Sequence, residues 1–124
     1  MTTVLVVDDM PENIRLVRKL LTPQGFRVLD ATDAEAALAV AGEAMPDILL
    51  VDLRLGAGTM TGYELARRIR KLPGGTAAVV LALSGGAVLE DDAMSRATGF
   101  DGFILKPFDF GGFADVLKGF LARR

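Results

Sequence analysis

The chain alternates between short unbroken apolar runs and longer stretches where apolar residues recur every three to four positions. The clearest run is Ile48-Leu49-Leu50-Val51, preceded by Pro46-Asp47 and closed by the carboxylate of Asp52. Bounded by proline and glycines, such a run suits a strand buried on both faces of a helix-covered parallel sheet. Four further runs read as strands: Thr3 to Val7, Phe26 to Leu29, Thr76 to Leu83 and Asp101 to Leu105. The stretches between them predict helices. The first has Asp9 as N-cap, Pro11 in its first turn, a stripe of Ile14, Val17, Leu20 and Leu21, and Gly25 as a left-handed stop. The second opens on a capping box, Thr32 at N-cap and Glu35 three residues on, and runs through alanines to about Glu43. Leu53 to Met60 has no periodicity and reads as a loop. Thr61 and Glu64 form a second capping box for a helix through Lys71, with Leu65, Ile69 and Leu72 inward and the arginines toward water. Pro73-Gly74-Gly75 is a turn, and Val88 to Thr98 a weaker helix whose acidic first half suits its N-terminus. Asp109 caps a last helix with Phe113, Val116, Leu117, Phe120 and Leu121 as its packing stripe. Five strands alternating with five helices predict an α/β fold of right-handed βαβ units around an open parallel sheet.

Composition narrows the chemistry. The 124 residues fit one domain, and about half of them (51%) are hydrophobic, ample for one core. Net charge is −2, from 14 basic and 16 acidic residues, which gives no general attraction to nucleic acid or anionic lipid. Cysteine is absent, which excludes disulfide and thiol chemistry and fits a cytoplasmic location. Histidine is absent too, which excludes it as ligand, base or phosphoryl carrier. No apolar run approaches the roughly 20 residues that span a bilayer.

The strand ends carry the candidate chemistry. The first delivers Asp8 and Asp9, the third Asp52, the fourth Ser84 and the fifth Lys106. In an open α/β sheet these ends share one edge, and ligands bind there. Strand order 2-1-3-4-5 would bring the three carboxylates together, where they repel one another. A divalent cation resolves the repulsion, and oxygen-only ligation favours Mg2+, with Mn2+ as the alternative. Mg2+ usually shares a phosphate with a few carboxylates. Lys106 then supplies a positive charge and Ser84 a hydroxyl for phosphoryl oxygens, Gly85 leaves the approach open, and Asp52 is positioned as the nucleophile.

This set resembles the receiver domain of two-component response regulators (CheY-like). The resemblance rests on Asp8-Asp9, Asp52, Ser84 and Lys106-Pro107-Phe108, and covers essentially the whole chain. It implies a flavodoxin-like (βα)5 three-layer sandwich and a single receiver domain over residues 1–124, without an output domain. It implies a phosphoprotein of phosphorelay signal transduction, with 4-aspartylphosphate formed on Asp52 by a histidine kinase or histidine phosphotransfer protein. Asp9, Asp52 and the main-chain carbonyl of Arg54 would hold the metal, Asp8 acting mainly through water. Ser84 and Lys106 would hold phosphoryl oxygens, and Ser84 and Phe103 would form the switch. The Lys106-Pro107 peptide would be cis, aiming the lysine inward. The chain would be no enzyme beyond self-phosphorylation and slow autodephosphorylation. Its partners would be the donor and a downstream protein, met on the face of the fourth helix, fifth strand and fifth helix, with a phosphorylation-dependent homodimer compatible and no nucleic acid or membrane engaged directly.

Two features depart from the family's pattern. Receivers commonly carry proline four residues after the acceptor and glycine eight after it; here Gly56 is fourth and Gly62 tenth, so the loop is two residues longer. Arg54 places a guanidinium near the site, where it would alter hydrolysis of the acyl phosphate. Three rival functions compete. A pseudo-receiver acting only through contacts fits the altered loop. An aspartate-nucleophile phosphatase requires Asp-x-Asp, which Asp52-Leu53-Arg54 and Asp8-Asp9-Met10 lack. A flavodoxin-type cofactor binder requires a Ser/Thr/Gly-rich loop where Asp8-Asp9-Met10-Pro11 stands.

Overall fold

The computed structural model describes residues 1–53, 60–84, 99–105 and 112–123. Within them, five parallel strands form one sheet: β1 (Thr3–Val7), β2 (Arg27–Ala31), β3 (Ile48–Asp52), β4 (Val79–Ser84) and β5 (Gly102–Leu105), in order β2-β1-β3-β4-β5. The predicted order is therefore met, and β1 lies directly beside β3. Helices α1 (Pro11–Leu21), α2 (Ala34–Glu43) and α3 (Gly62–Lys71) and a C-terminal helix (Phe113–Arg123) cover the sheet. The helix expected at Val88 to Thr98 and the cap at Asp109 lie outside the described residues.

The period-two alternation of the strands divides the core. Val4, Val6, Ile48, Leu50, Leu81 and Leu83 pack with Ile14, Val17 and Leu21 of α1 and Phe113 and Leu117 of the C-terminal helix. Leu5, Val7, Leu49, Val51, Val80 and Ala82 pack with Ala34, Ala37 and Ala41 of α2 and Leu65 and Ile69 of α3. Both faces of β3 are thus buried, as its unbroken apolar run requires.

Several boundaries differ from the sequence reading. The N-cap of α1 is Met10, not Asp9, and its side chain makes no capping bond. The residue before a proline is pushed toward extended backbone, and Met10 precedes Pro11 with φ −102° and ψ 114°. The N-cap of α2 is Asp33, not Thr32; its carboxylate accepts from the amide of Ala36 at 2.7 Å. That start sets Ala34, Ala37 and Ala41 on the buried face. Thr61 caps α3 as expected, accepting from the amide of Glu64 at 3.1 Å, while the Glu64 carboxylate pairs with Arg68 at 3.0 Å. Helix α1 ends at Leu21 and passes through a 3-10 turn (Thr22–Gln24) before Gly25 reverses the chain at φ 90°. Strand β2 is longer than expected, and Val116 is exposed rather than packed.

Strand β4 starts at Val79 rather than Thr76 because consecutive turns intervene. Gly75 donates to the carbonyl of Leu72 at 2.8 Å, and Ala77 to that of Gly74 at 3.2 Å. Gly75 has no room for a side chain: a Cβ there would lie 1.8 Å from the carbonyl oxygen of Ile69. Since the obstacle is backbone, Gly75→Ala is expected to cost roughly 2–4 kcal/mol, read as a lower midpoint in urea unfolding. An unchanged midpoint would show that the turn relaxes freely.

Not every arginine of α3 faces water. Arg67 and Arg68 do, but Arg70 folds back against the sheet. Its guanidinium donates to the carbonyls of Gly75 at 2.8 Å, Ala78 at 2.6 Å and Gly99 at 2.6 and 2.9 Å. It also pairs with Asp101 at 2.8 Å, whose same oxygen accepts from the amide of Val80 at 2.8 Å. One side chain thus ties α3 to the starts of β4 and β5.

Candidate functional site

The register brings the polar strand ends together. Val7 pairs with Val51, Asp52 with Leu83, and Ser84 with Leu105. Asp8 therefore leaves β1 beside the end of β3, and Ser84 closes β4 one position beyond the partner of Asp52. Asp8, Asp52 and Ser84 are the buried polar residues among those described, and Asp9 is exposed beside them.

Each carboxylate is held by local structure. The amide of Asp8 donates to the carbonyl of Ala31 at 3.1 Å, fixing the end of β1 to β2. Its carboxylate accepts from the amide of Met10 at 2.9 Å and from the side-chain amide of Asn13 at 3.0 Å. The first bond is a carboxylate reaching its own backbone two residues on, a turn that aspartate favours. Sequence reasoning missed Asn13; its signal is position, one turn into α1 on the side facing β1. Asp52 is fixed from below by β3 and from the side by Gly62. A Cβ at Gly62 would lie 3.1 Å from the carbonyl oxygen of Asp52 and 3.2 Å from Val51. The start of α3 thus packs directly on the end of β3. The expectation that Leu53 to Met60 is a loop falls mostly on residues outside those described, as do Arg54, Gly85, Lys106, Pro107 and Phe108.

Asp8, Asp9 and Asp52 each present a carboxylate oxygen, and these atoms all lie within 4.8 Å of one another. No buried side-chain polar atom among the described residues lacks a hydrogen-bond partner. The three-carboxylate, all-oxygen donor set fits a hard divalent cation and can hold a metal ion; it offers no soft ligand for copper or zinc thiolate sites. Phe103 lies on β5 opposite Ala82, two residues before Ser84 on the same strand face, so the two switch candidates share one side of the sheet.

A groove of about 880 Å³ opens at the opposite, amino end of the sheet, lined by Met45, Thr76, Ala78 and Phe120. Its carboxylates are engaged: Asp47 by the amide of Thr3, Asp101 by Arg70 and Val80. It gathers no convergent chemistry, and the candidate site stays at the carboxyl end. No helix among the described residues is long and apolar enough to cross a membrane.

Comparison with known proteins agrees with this geometry. The chain is 33% identical over 123 residues to the transcriptional regulatory protein KdpE of Mycobacterium tuberculosis, covering 99% of this chain and 52% of that protein. It is 34% identical over 125 residues to the virulence sensor protein BvgS of Bordetella pertussis, covering 97% of this chain and 10% of that one. The chain therefore spans about half the length of KdpE and a small part of BvgS. The structure superposes on the chemotaxis response regulator CheY4 of Vibrio cholerae with a TM-score of 0.88 at 29% identity, covering 98% and 99% of the two chains. Residues 4–118 match the response regulator receiver domain. The acidic cluster at the carboxyl end of a five-stranded parallel sheet thus stands in its expected context, and the chain belongs to the response regulator receiver domain family, the signalling domains of two-component systems.

Proposed function

We propose that the chain, as one receiver domain, takes a phosphoryl group onto Asp52 from a phosphohistidine of a histidine kinase or phosphotransfer protein and switches a protein-binding surface in response. The observation that carries this reading is the cluster of Asp8, Asp9 and Asp52, three carboxylates within 4.8 Å with Asp52 buried at a strand end. Asp9, Asp52 and the main-chain carbonyl of Arg54 are the residues that would hold Mg2+ (or Mn2+), with Asp8 acting through water. When bound, that ion offsets the carboxylate charges and draws in a phosphoryl oxygen.

The chain's own residues supply the rest. A carboxylate oxygen of Asp52 attacks phosphorus in line. The bond from phosphorus to the donor nitrogen breaks, and the leaving imidazole takes a proton from water. Ser84 donates its hydroxyl to a phosphoryl oxygen, Lys106 its ammonium to another, and Phe103 moves inward behind Ser84. Asn13 and the Met10 amide act through Asp8, holding its carboxylate toward the cluster. The surface read by a downstream partner is proposed to include β5 and the C-terminal helix. A cytoplasmic site of action fits a donor of this class.

Incubation with acetyl phosphate and Mg2+ tests the reading, followed by intact mass. Expected is a gain of one phosphoryl group (about 80 Da), with acetate as leaving group, that disappears in Asp52→Ala. No gain favours a pseudo-receiver working by contact alone. Steady turnover of p-nitrophenyl phosphate favours a phosphatase.

A further inference from the structure

We infer that this receiver carries an aromatic bridge, Phe103–Phe100–Tyr63, that conducts phosphorylation of Asp52 to the first turn of α3. The inference rests on the reading of Asp52 and Phe103 given above and extends it to a surface which that reading does not include.

Phe100 and Phe103 have ring centroids 6.0 Å apart, tilted at 43°; Phe100 and Tyr63 lie 5.8 Å apart, edge to face at 78°. Both pairs fall in the range of favourable aromatic contact. The middle ring is 4% exposed, whereas Phe103 and Tyr63 at the two ends are partly buried. A rigid ring enclosed in a close-packed core passes a displacement on rather than absorbing it. If Phe103 moves, Phe100 must repack, and Tyr63 is the neighbour on its other side.

The far end of the bridge is placed to matter. Tyr63 follows Gly62, whose backbone packs on the carbonyl of Asp52. Both ends of the bridge thus lie near the candidate site: Phe103 pairs with Ala82 of β4, two residues before Ser84, and Tyr63 follows Gly62, which packs on the carbonyl of Asp52. The bridge runs away from the C-terminal helix and emerges where the longer loop rejoins α3. Plain core packing would produce the same rings without any response to phosphorylation, and this is what the experiment separates.

Tyr63 is the single tyrosine and the chain has no tryptophan, so intrinsic emission reports this one site without any substitution. In the full chain with Mg2+ and acetyl phosphate, Tyr63 emission is expected to change in step with the mass gain, beyond any change with Mg2+ alone. Phe100→Leu is expected to gain the phosphoryl group yet lose the emission change. Unchanged emission at full phosphorylation overturns the bridge, and the wild type alone decides this should Phe100→Leu fail to fold. A change that persists undiminished in Phe100→Leu also overturns it, since Tyr63 then senses Asp52 through Gly62 directly. Absence of a mass gain removes the acceptor reading, and the bridge with it, as the mass spectrum records independently of emission.

Discussion

With Asp9 replaced by alanine, the metal-free protein is expected to melt higher than wild type while losing its response to Mg2+. The two effects share one cause. Three carboxylates crowd within 4.8 Å, and without a cation they repel. Removing one charge relieves the metal-free fold, by roughly 2–5 °C for a domain of this size. Mg2+ is expected to bind the folded state and so to raise the wild-type melting temperature by mass action. Asp9→Ala withdraws one of the few proposed charged ligands, so that rise should largely vanish, and the rate of phosphorylation by acetyl phosphate should fall roughly 100-fold or more. Asp9 is the right residue for this test because it is exposed and absent from the core. Asp8 is fully buried and accepts from Met10 and Asn13, so its loss would mix folding with metal binding. Thermal melts with and without Mg2+ measure the effect. A variant that keeps the full Mg2+-induced rise would remove Asp9 from the site.

Arg70→Ala is expected to be the most damaging surface-type substitution in α3, costing about 2–4 kcal/mol, or roughly 8–16 °C in melting temperature. Four acceptors lose a donor at once: the carbonyls of Gly75, Ala78 and Gly99, and the Asp101 carboxylate. The Arg70 side chain is only 21% exposed, so water replaces these bonds poorly. Arg67→Ala and Arg68→Ala, which lose only exposed pairs with Glu64, are expected to stay within about 0.5 kcal/mol. Arg70→Lys should recover a minor part, since an ammonium cannot reproduce the planar fork that meets several carbonyls. Thermal denaturation by circular dichroism checks all four. Equal effects at Arg67 and Arg70 would contradict the anchoring role.

These two residues mark what was legible in the sequence and what was not. The strands were readable because each is a run buried on both faces and ended by proline, glycine or a polar residue. Their parallel order followed from the helices between them. Asp8, Asp52 and Ser84 were found because a polar residue at the carboxyl end of an apolar strand is a local signal. Arg70 was misread because two of its partners, Gly99 and Asp101, lie 29 and 31 residues away, and a helical stripe cannot tell a solvated arginine from one folded onto the sheet. The caps of α1 and α2 were each misplaced by one residue: Pro11 sets the first at Met10, which has no capping oxygen, and the alanine register decided between Thr32 and Asp33, which both suit the role. Asn13 was missed because a polar residue early in a helix usually faces water. The aromatic bridge had no local signal either, since Tyr63 and Phe100 meet only after α3 and β5 have docked.

Asp52 is the proposed acceptor of the phosphoryl group. Borohydride reduces an aspartyl phosphate to homoserine, so treatment of the acetyl-phosphate-labelled protein, followed by peptide sequencing in the mass spectrometer, names the residue. Homoserine at position 52, dependent on Mg2+ and absent without acetyl phosphate, is the expected result. Homoserine at Asp8 or Asp9, or at none of the three, would contradict it.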